Sequence, residues 1–219
     1  MNQPLISLLH PSRGRPQKSF ENSKEWIEKA GCEVELILSL DNDDPEVVEY
    51  GGTYESHIAP MTYLVNANRS VVDATNKAAR EAKANILVYL SDDFKCPDNW
   101  GQLVLKEFEN ENRPCLIKVD DCLQKFHVPV LTIPIMNRAL YEKLGYFFHP
   151  DFLSMFCDEH LYWVCHRIGA LKNCPHLKFP HEHCSIGKAE NDETYRRSAA
   201  NWEQGKAAFA KHKAAGFPI

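Results

Sequence analysis

Two adjacent carboxylates follow an apolar run near the middle of the sequence. The segment "NILVYL", residues 85–90, predicts a buried strand, and Asp92 and Asp93 follow it after one serine. Neighbouring carboxylates repel each other unless a positive charge lies beside them. Their oxygens suit a hard divalent cation such as Mg²⁺ or Mn²⁺, which can also bind a diphosphate. The structural alternative is a solvated turn before a helix, although Asp98 is the better capping residue for that helix.

Charged loops also follow the first two predicted strands. "LISLLH" leads into "PSRGRP", which carries Arg13 and Arg15, and "CEVELILSL" leads into "DNDDPE", which carries Asp41 and Asp43. Guanidinium groups bind anions through several hydrogen bonds, and carboxylates accept hydrogen bonds from hydroxyl or imide donors. The simpler explanation is that these residues form solvated loops and turns.

Strands and helices alternate along the first half of the sequence. The predicted strands are 5–10, 32–40, a weak strand at "ESHIAP" and 85–90, and the predicted helices are about 19–29, 70–83 and 99–109. This alternation predicts an α/β fold, with a mostly parallel sheet flanked by helices. Ligands of such sheets bind outside the carboxyl ends of the strands, so the three charged loops are expected to face one crevice.

The second half is less regular and carries further candidate residues. "CLIKVDD" and "VLTIPIM" predict strands, "NRALYEKLG" and "DEHLYWVCHRIG" predict helices, and "LKFPHEH" predicts a strand or an extended segment. Asp158 and Glu159 open the second of these helices, where acids are also favoured by the helix dipole. His181 and His183 alternate, so in a strand both would face the same side and could bind one metal ion. A single histidine is more often structural.

Taken in order, five segments resemble glycosyltransferases of the GT-A fold, most closely the inverting enzymes of the family 2 type. The resemblance covers roughly residues 4–185 and rests on "ISLLHPSRGRP", "LILSLDNDD", "NRSVVDATNKAAREAKANILVYLSDDF", "FLSMFCDEHLYWVCHRIG" and "FPHEH". It implies transfer of a sugar, with inversion, from a UDP- or GDP-sugar to an acceptor hydroxyl, assisted by Mn²⁺ or Mg²⁺.

The resemblance also implies roles for individual residues. Asp158 would be the catalytic base, with Glu159 as the rival, and Asp93 would hold the metal with His181 or His183. The donor-binding residues would be Arg13, Arg15, Asp41, Asp43, Asn68 and Asp92. One departure concerns Ser91, which stands where the family motif usually has its first aspartate. That departure leaves open a GT-A-like protein that binds a nucleotide or sugar without catalysis, and another nucleotide-using transferase is a further alternative.

A different function is suggested by a cluster of thiols and imidazoles. Cys174, His176, His181, His183 and Cys184 lie within eleven residues. Thiolates and imidazoles are the ligands of structural zinc, so this segment could bind a zinc ion that holds together, or staples, a binding module. Its spacing matches no complete zinc-finger pattern. The two hypotheses differ in their metal, because the transferase would take Mn²⁺ or Mg²⁺ near Asp93.

Composition narrows the function classes. The net charge of −5 over 219 residues, with no long basic run, argues against a nucleic-acid binder. No stretch approaches the roughly 18–20 apolar residues of a membrane span, and no signal-peptide pattern is present, so a cytoplasmic location is predicted. The eight cysteines are then expected to be reduced. Residues 1–190 are predicted to form the transferase domain, with an irregular acceptor-side second half, and residues 191–219 a helical tail.

Overall fold

The computed structural model describes residues 5–55 and 60–219. The strands are β1 (Ile6–Ser12), β2 (Val34–Asp41), β3 (Met61–Asn66), β4 (Ile86–Tyr89), β5 (Leu116–Asp120), β6 (Ile135–Asn137) and β7 (Leu171–Lys178). The α-helices are α1 (Pro16–Glu28), α2 (Val47–Thr53), α3 (Val71–Glu81), α4 (Trp100–Phe108), α5 (Arg138–Leu144), α6 (Cys157–Arg167), α7 (Glu193–Ala199) and α8 (Trp202–Ala214). A short 3₁₀ turn covers Cys184–Ile186.

These strands form one sheet in the order β3-β2-β1-β4-β6-β5-β7. β1, β2, β3 and β4 are parallel, β6 runs antiparallel to both of its neighbours, and β5 pairs in parallel with β7. The mostly parallel α/β sheet confirms the predicted fold class. The order reverses beside β1, because the chain moves outward to β3 and then returns to place β4 on the other side. Such a switch point opens a crevice at the carboxyl ends of the two strands.

The central strands are buried on both faces. Every residue of β1 and β2 is buried, as expected for parallel strands that carry helices on both sides. Successive side chains point to opposite faces, so Leu8 packs in one core with Trp26 and Trp100, whereas Leu9 packs in the other with Leu161. The sheet therefore separates two cores.

Several element boundaries differ from the sequence predictions. Helix α1 begins at Pro16 rather than Ser19, because proline is tolerated at the first position of a helix. Helix α2 was not predicted, since Gly51 and Gly52 weaken its helical pattern. Most of the predicted strand "ESHIAP" lies outside the described residues, and β3 follows it. The "VLTIPIM" prediction was wrong over residues 130–134, which are not strand, while β6 starts just after the proline.

Residues 191–219 form α7 and α8, which lie against the rest of the fold. Gly205 of α8 sits so close to Met155 that an added Cβ would come within 2.4 Å of the carbonyl oxygen. Phe209 and Phe217 pack against the core that contains Leu161. No helix in the described part of the chain is both long and apolar enough to cross a membrane.

Candidate active site

The carboxyl ends of β1, β2 and β4 open into a cleft of about 330 Å³. The loop before α6 and the helix α7 form the opposite side of this cleft. Eight of the predicted site residues line it, namely Arg13, Arg15, Asp41, Asp92, Asp93, Asp158, His181 and His183. The other three, Asp43, Asn68 and Glu159, do not. The three charged loops of the first half therefore do meet at one crevice.

Asp92 is buried, with 6% of its surface exposed, and is surrounded by groups from β1 and the loop after it. His10 Nε2 lies 2.8 Å from Asp92 Oδ1. The Ser12 hydroxyl donates at 3.1 Å to Oδ2, and an Arg15 guanidinium nitrogen lies 3.6 Å from that oxygen. Asp92 therefore has several protein partners, and these contacts hold the loop that carries Arg15 against the end of β4.

Asp93 points to different partners, so the two neighbouring carboxylates are separated. Its Oδ2 accepts a hydrogen bond of 2.5 Å from the Tyr195 hydroxyl and lies 3.1 Å from His181 Nε2. Its Oδ1 is buried and has no hydrogen-bond partner of normal geometry, and the same is true of His181 Nδ1. Burial opposes ionisation, but the hydrogen bonds from His181 and Tyr195, together with the His181 charge, hold the pKa of Asp93 well below its usual range.

His183 lies beside this pair without completing it. Its ring centre is 4.9 Å from that of His181 and 5.0 Å from that of Tyr195. Its Nδ1 accepts a hydrogen bond of 3.1 Å from the Ser185 amide, which caps the 3₁₀ turn. The structure thus brings Asp93 and His181 together, whereas Nδ1 of His183 is hydrogen-bonded to the backbone of its own turn.

Helix α7 supplies site residues that the sequence analysis missed. Arg15 donates two hydrogen bonds of 2.7 Å to the Asp192 carboxylate, and its guanidinium lies 4.6 Å from the centre of the Tyr195 ring. The Thr194 hydroxyl also donates to the Arg13 carbonyl at 3.0 Å. Because Asp192 lies 177 positions after Arg15, only the three-dimensional fold brings them together. The sequence did hold a signal for two other missed site residues, His10 and Ser12. Alternate residues of a strand share a face, so these two side chains are expected on the same side of β1.

At the other end of the cleft, Asp41 is held by two partners. Arg13 Nη1 donates to one of its oxygens at 2.9 Å, and the Asn68 amide donates to the other at 3.0 Å. Asn68 also donates to the Leu40 carbonyl, and Arg13 forms an ion pair with the exposed Asp43. Asn68 and Asp43 therefore orient the two cleft residues Asp41 and Arg13 from outside.

Asp158 lies at the start of α6 on the side of the cleft opposite the strand ends. Phe156, just before the helix, has a left-handed backbone with φ 69°, and this turn directs the first residues of α6. Burial raises the pKa of Asp158 to about 6, although hydrogen bonds from the Glu159, Asp158 and Leu131 backbone oppose this. Burial also raises the pKa of Glu159, while the Trp163 side chain and the Lys213 charge oppose the shift. Only the first of these two acids lines the cleft.

The residues of the proposed zinc staple do not converge. Cys174 and His176 lie on the outer strand β7, and both contact Glu107 of α4, at 3.4 and 2.9 Å. His181 instead contacts Asp93. This arrangement favours the carboxylate site over the zinc-stapled alternative.

Comparisons with known proteins find similarity at the level of structure. No family model matches the sequence, and no curated protein matches it. The S. aureus TarS 1–349 structure in complex with UDP aligns with a TM-score of 0.59 and 10% identity, over 80% of this chain and 59% of that one. The mannosyltransferase PcManGT from Pyrobaculum calidifontis, in complex with GDP-Man and Mn²⁺, aligns with a TM-score of 0.65 and 15% identity, over 98% and 76%. The fold is that of GT-A glycosyltransferases.

This likeness confirms the GT-A-like architecture that the family resemblance implied. A further TarS crystal structure aligns with a TM-score of 0.55 and 10% identity, over 80% of this chain and 36% of that one. The chain therefore spans a little over half of the TarS 1–349 structure. At these identities the likeness establishes the fold.

Proposed function

We propose that this protein is a glycosyltransferase that moves a sugar from a nucleoside diphosphate donor to an acceptor hydroxyl, with inversion at the anomeric carbon. The observation that carries the proposal is Asp93, a buried carboxylate at the switch point of the sheet whose Oδ1 has no hydrogen-bond partner of normal geometry. Asp158 lines the same cleft. Support also comes from the fold shared with proteins solved with UDP and with GDP-Man and Mn²⁺.

The residues around Asp93 fit a divalent cation such as Mn²⁺ or Mg²⁺. Asp93 Oδ1 and His181 Nδ1 are both buried without a partner, and a hard cation prefers carboxylate oxygen. Asp93 would hold the ion, with His181 or His183 beside it. When bound, such an ion neutralises the charge that develops on a leaving diphosphate. Tyr195, through its hydrogen bond to Oδ2, keeps the carboxylate oriented.

The donor-binding residues divide into two groups. Arg13, Arg15 and Asp41 line the cleft and would contact the donor, the arginines through its phosphates and Asp41 through its base or ribose. Three further residues position these groups. Asn68 and Asp43 hold Asp41 and Arg13, while Asp92 fixes the loop that carries Arg15.

Asp158 would act as the general base. An acceptor hydroxyl loses its proton to the Asp158 carboxylate as its oxygen forms a bond to the anomeric carbon. The bond from that carbon to the diphosphate oxygen breaks on the opposite face, so the configuration inverts. A pKa of about 6 suits a base that works near neutral pH, since the carboxylate is mostly ionised but still basic.

Calorimetry with UDP and with GDP, each with and without Mn²⁺, tests the binding part of the proposal. Binding of one nucleotide that requires Mn²⁺ is expected, and Asp93→Asn should lose the Mn²⁺ dependence while Asp98→Asn keeps it. Asp98 is a suitable control because its side chain is 83% exposed. The proposal is wrong if neither nucleotide binds with Mn²⁺, or if Asp93→Asn binds as the wild type does.

A further inference from the structure

A second cluster of metal-ligand residues lies outside the cleft. His149 and Asp151, in the loop before α6, meet His212 of α8, and one possible ligand atom from each lies within 4.8 Å of the others. None of the three lines the cleft. The cluster joins two parts of the chain that are about 60 residues apart, as the Asp151–His212 contact shows.

His160 lies against this cluster and is the observation that points to a ligand. It is fully buried, and neither of its ring nitrogens has a hydrogen-bond partner. Its ring centre is 5.1 Å from that of His149 and 4.5 Å from that of His212, whose Nδ1 is also buried without a partner. An unsatisfied buried polar group costs about 1–3 kcal/mol, so three such nitrogens in one place call for a ligand.

The contacts within the cluster leave these nitrogens unexplained. His212 Nε2 lies 3.0 Å from Asp151 Oδ2, and the Lys211 ammonium lies 3.3 Å from the same oxygen. The Asp151 amide donates to His149 Nδ1 at 3.2 Å. A hydrogen-bonded His–Asp pair would need only these groups. It gives no reason to bury His160 beside them.

We propose that His149, Asp151 and His212 bind a zinc-type transition-metal ion, with His160 as the adjacent fourth donor. The cluster itself supplies two imidazoles and one carboxylate, and the adjacent His160 would complete a set of three imidazoles and one carboxylate, which suits Zn²⁺ in a tetrahedral site. This set is richer in nitrogen than the Asp93 region, where a carboxylate oxygen is the central ligand, so the two places select different metals. The Asp151 side chain is 40% exposed and gives an ion a path from solvent.

The position of the cluster assigns the ion a structural role. His160 lies in α6 two residues after Asp158, and His212 lies in α8, which follows α7 directly. A metal bridge between them fixes α8 against the start of α6. The C-terminal helices, and with them Tyr195 and Asp192, are then held in register with the cleft.

The first test is zinc binding by the full-length protein after treatment with a chelator. Metal analysis and a Zn²⁺ titration should show one tightly bound equivalent, and the thermal unfolding midpoint should rise when Zn²⁺ is restored. His149→Asn and Asp151→Asn should weaken Zn²⁺ binding by more than the roughly 10–100-fold that loss of an outer-shell partner costs. Failure of the stripped wild-type protein to take up Zn²⁺ overturns the proposal.

Two controls separate this site from the cleft and from surface histidines. Asp93→Asn and His176→Asn should both retain the zinc equivalent, because the first residue belongs to the cleft and the second is an exposed partner of Glu107. Loss of zinc in either control, with retention in Asp151→Asn, contradicts the proposal. If the cluster variants do not fold, the visible spectrum of the Co²⁺-loaded wild-type protein decides, since tetrahedral nitrogen and oxygen ligation is expected and octahedral ligation excludes it.

Discussion

Tyr195 donates a 2.5 Å hydrogen bond to Asp93 although 102 positions separate the two residues in the sequence. The contact crosses the cleft from α7 to the loop after β4. Its acceptor is the oxygen that also faces His181, and the other carboxylate oxygen is buried with no hydrogen-bond partner of normal geometry. The C-terminal segment is therefore part of the site, where it orients the carboxylate that we propose as the metal ligand.

Replacing Tyr195 with phenylalanine removes this hydrogen bond and little else. We expect Tyr195→Phe to weaken Mn²⁺-dependent nucleotide binding by roughly 10–100-fold, the usual cost of losing a group that orients a metal ligand. The binding measured without Mn²⁺ should change much less. Calorimetric titration of nucleotide at fixed Mn²⁺ concentrations measures both quantities.

Tyr146→Phe is the matched control for this prediction. The Tyr146 hydroxyl is buried without a partner and lies outside the cleft, so its removal should leave nucleotide binding unchanged. Equal effects of the two substitutions would mean that the Tyr195 hydroxyl does not act through Asp93.

The role of Asp158 can be separated from that of its neighbour by paired substitutions. Asp158→Asn should lower the rate of sugar transfer by about 10²–10⁴-fold, the usual contribution of a general base, and should leave donor binding intact. Glu159→Gln should retain most of the activity, because Glu159 does not line the cleft. Release of UDP or GDP from a nucleotide sugar measures both variants, and the opposite ranking would make Glu159 the base.

The pH dependence follows from the raised pKa of Asp158. Because burial raises that pKa to about 6, the base form is lost as the pH falls below 6, and the rate should fall with it. Asp93 is not expected to produce this limb, since its pKa lies well below the usual range. Rates measured between pH 5 and 8 should show one acidic limb near pH 6, which is absent from the residual activity of Asp158→Asn.

The stability of the fold should fall as the pH rises, whereas the reaction rate rises. Burial raises the pKa of Asp158 from 3.8 to about 6, so the folded state holds this proton more tightly than the unfolded chain does. The protein therefore loses stability as the pH rises through that interval. At pH 7 the full cost of the buried charge is present. Asp158→Asn removes this cost, so its midpoint of thermal unfolding at pH 7 should equal or exceed that of the wild type. A clear decrease would contradict this explanation of the pKa.

The sequence pattern predicted the first half of the fold well, because its strands are short, apolar and separated by turn residues. The apolar runs of β1 and β2 and the amphipathic pattern of α3 reflect local burial, which a sequence records directly. The rule that ligands bind outside the carboxyl ends of the strands then placed the loops carrying Arg13 and Asp93 at one crevice. What the pattern could not supply was the pairing of β6, whose direction depends on contacts far away in the chain.

The candidate site was predictable where its residues follow strands and unpredictable where they come from α7. Asp192 and Tyr195 lie in a polar segment with no apolar stripe, so local pattern describes it as a surface helix. Their positions depend on Arg15, at the opposite end of the sequence. The separate partners of Asp92 and Asp93 were equally hidden, since a sequence shows the proximity of two charges but not the direction of their side chains.

The ion pair between Arg15 and Asp192 should control how firmly α7 is docked. Asp192→Asn retains the cap of α7, because asparagine caps helices as well as aspartate, but it removes the charge that Arg15 faces. Since Asp192 is one-third exposed, we expect a cost of about 1–2 kcal/mol, which is a roughly 5–30-fold increase in local opening. Hydrogen exchange of residues 191–201 measures this opening.

Glu193→Gln provides the comparison, because Glu193 is the next residue, is exposed and has no contact with Arg15 among the described hydrogen bonds. Its exchange rates should match those of the wild type. If Asp192→Asn also exchanges at the wild-type rate, the ion pair does not dock α7, and the contacts of Thr194 and Tyr195 must be sufficient.

The close approach of α8 to the loop before α6 predicts a strong effect of one methyl group. In Gly205→Ala the new Cβ would lie 2.4 Å from the Met155 carbonyl oxygen, so the backbone must shift. Overpacking of this kind costs about 1–3 kcal/mol, and each kcal/mol lowers the unfolding midpoint by about 2–4 °C in a domain of this size.

Gly51→Ala is the matched control, since Gly51 lies in α2 with no atom within 4 Å of its Cβ position. Alanine is favoured over glycine within a helix by about 1 kcal/mol, so that variant should unfold at an equal or higher temperature. Equal midpoints for the two variants would mean that α8 is not packed against Met155 in solution.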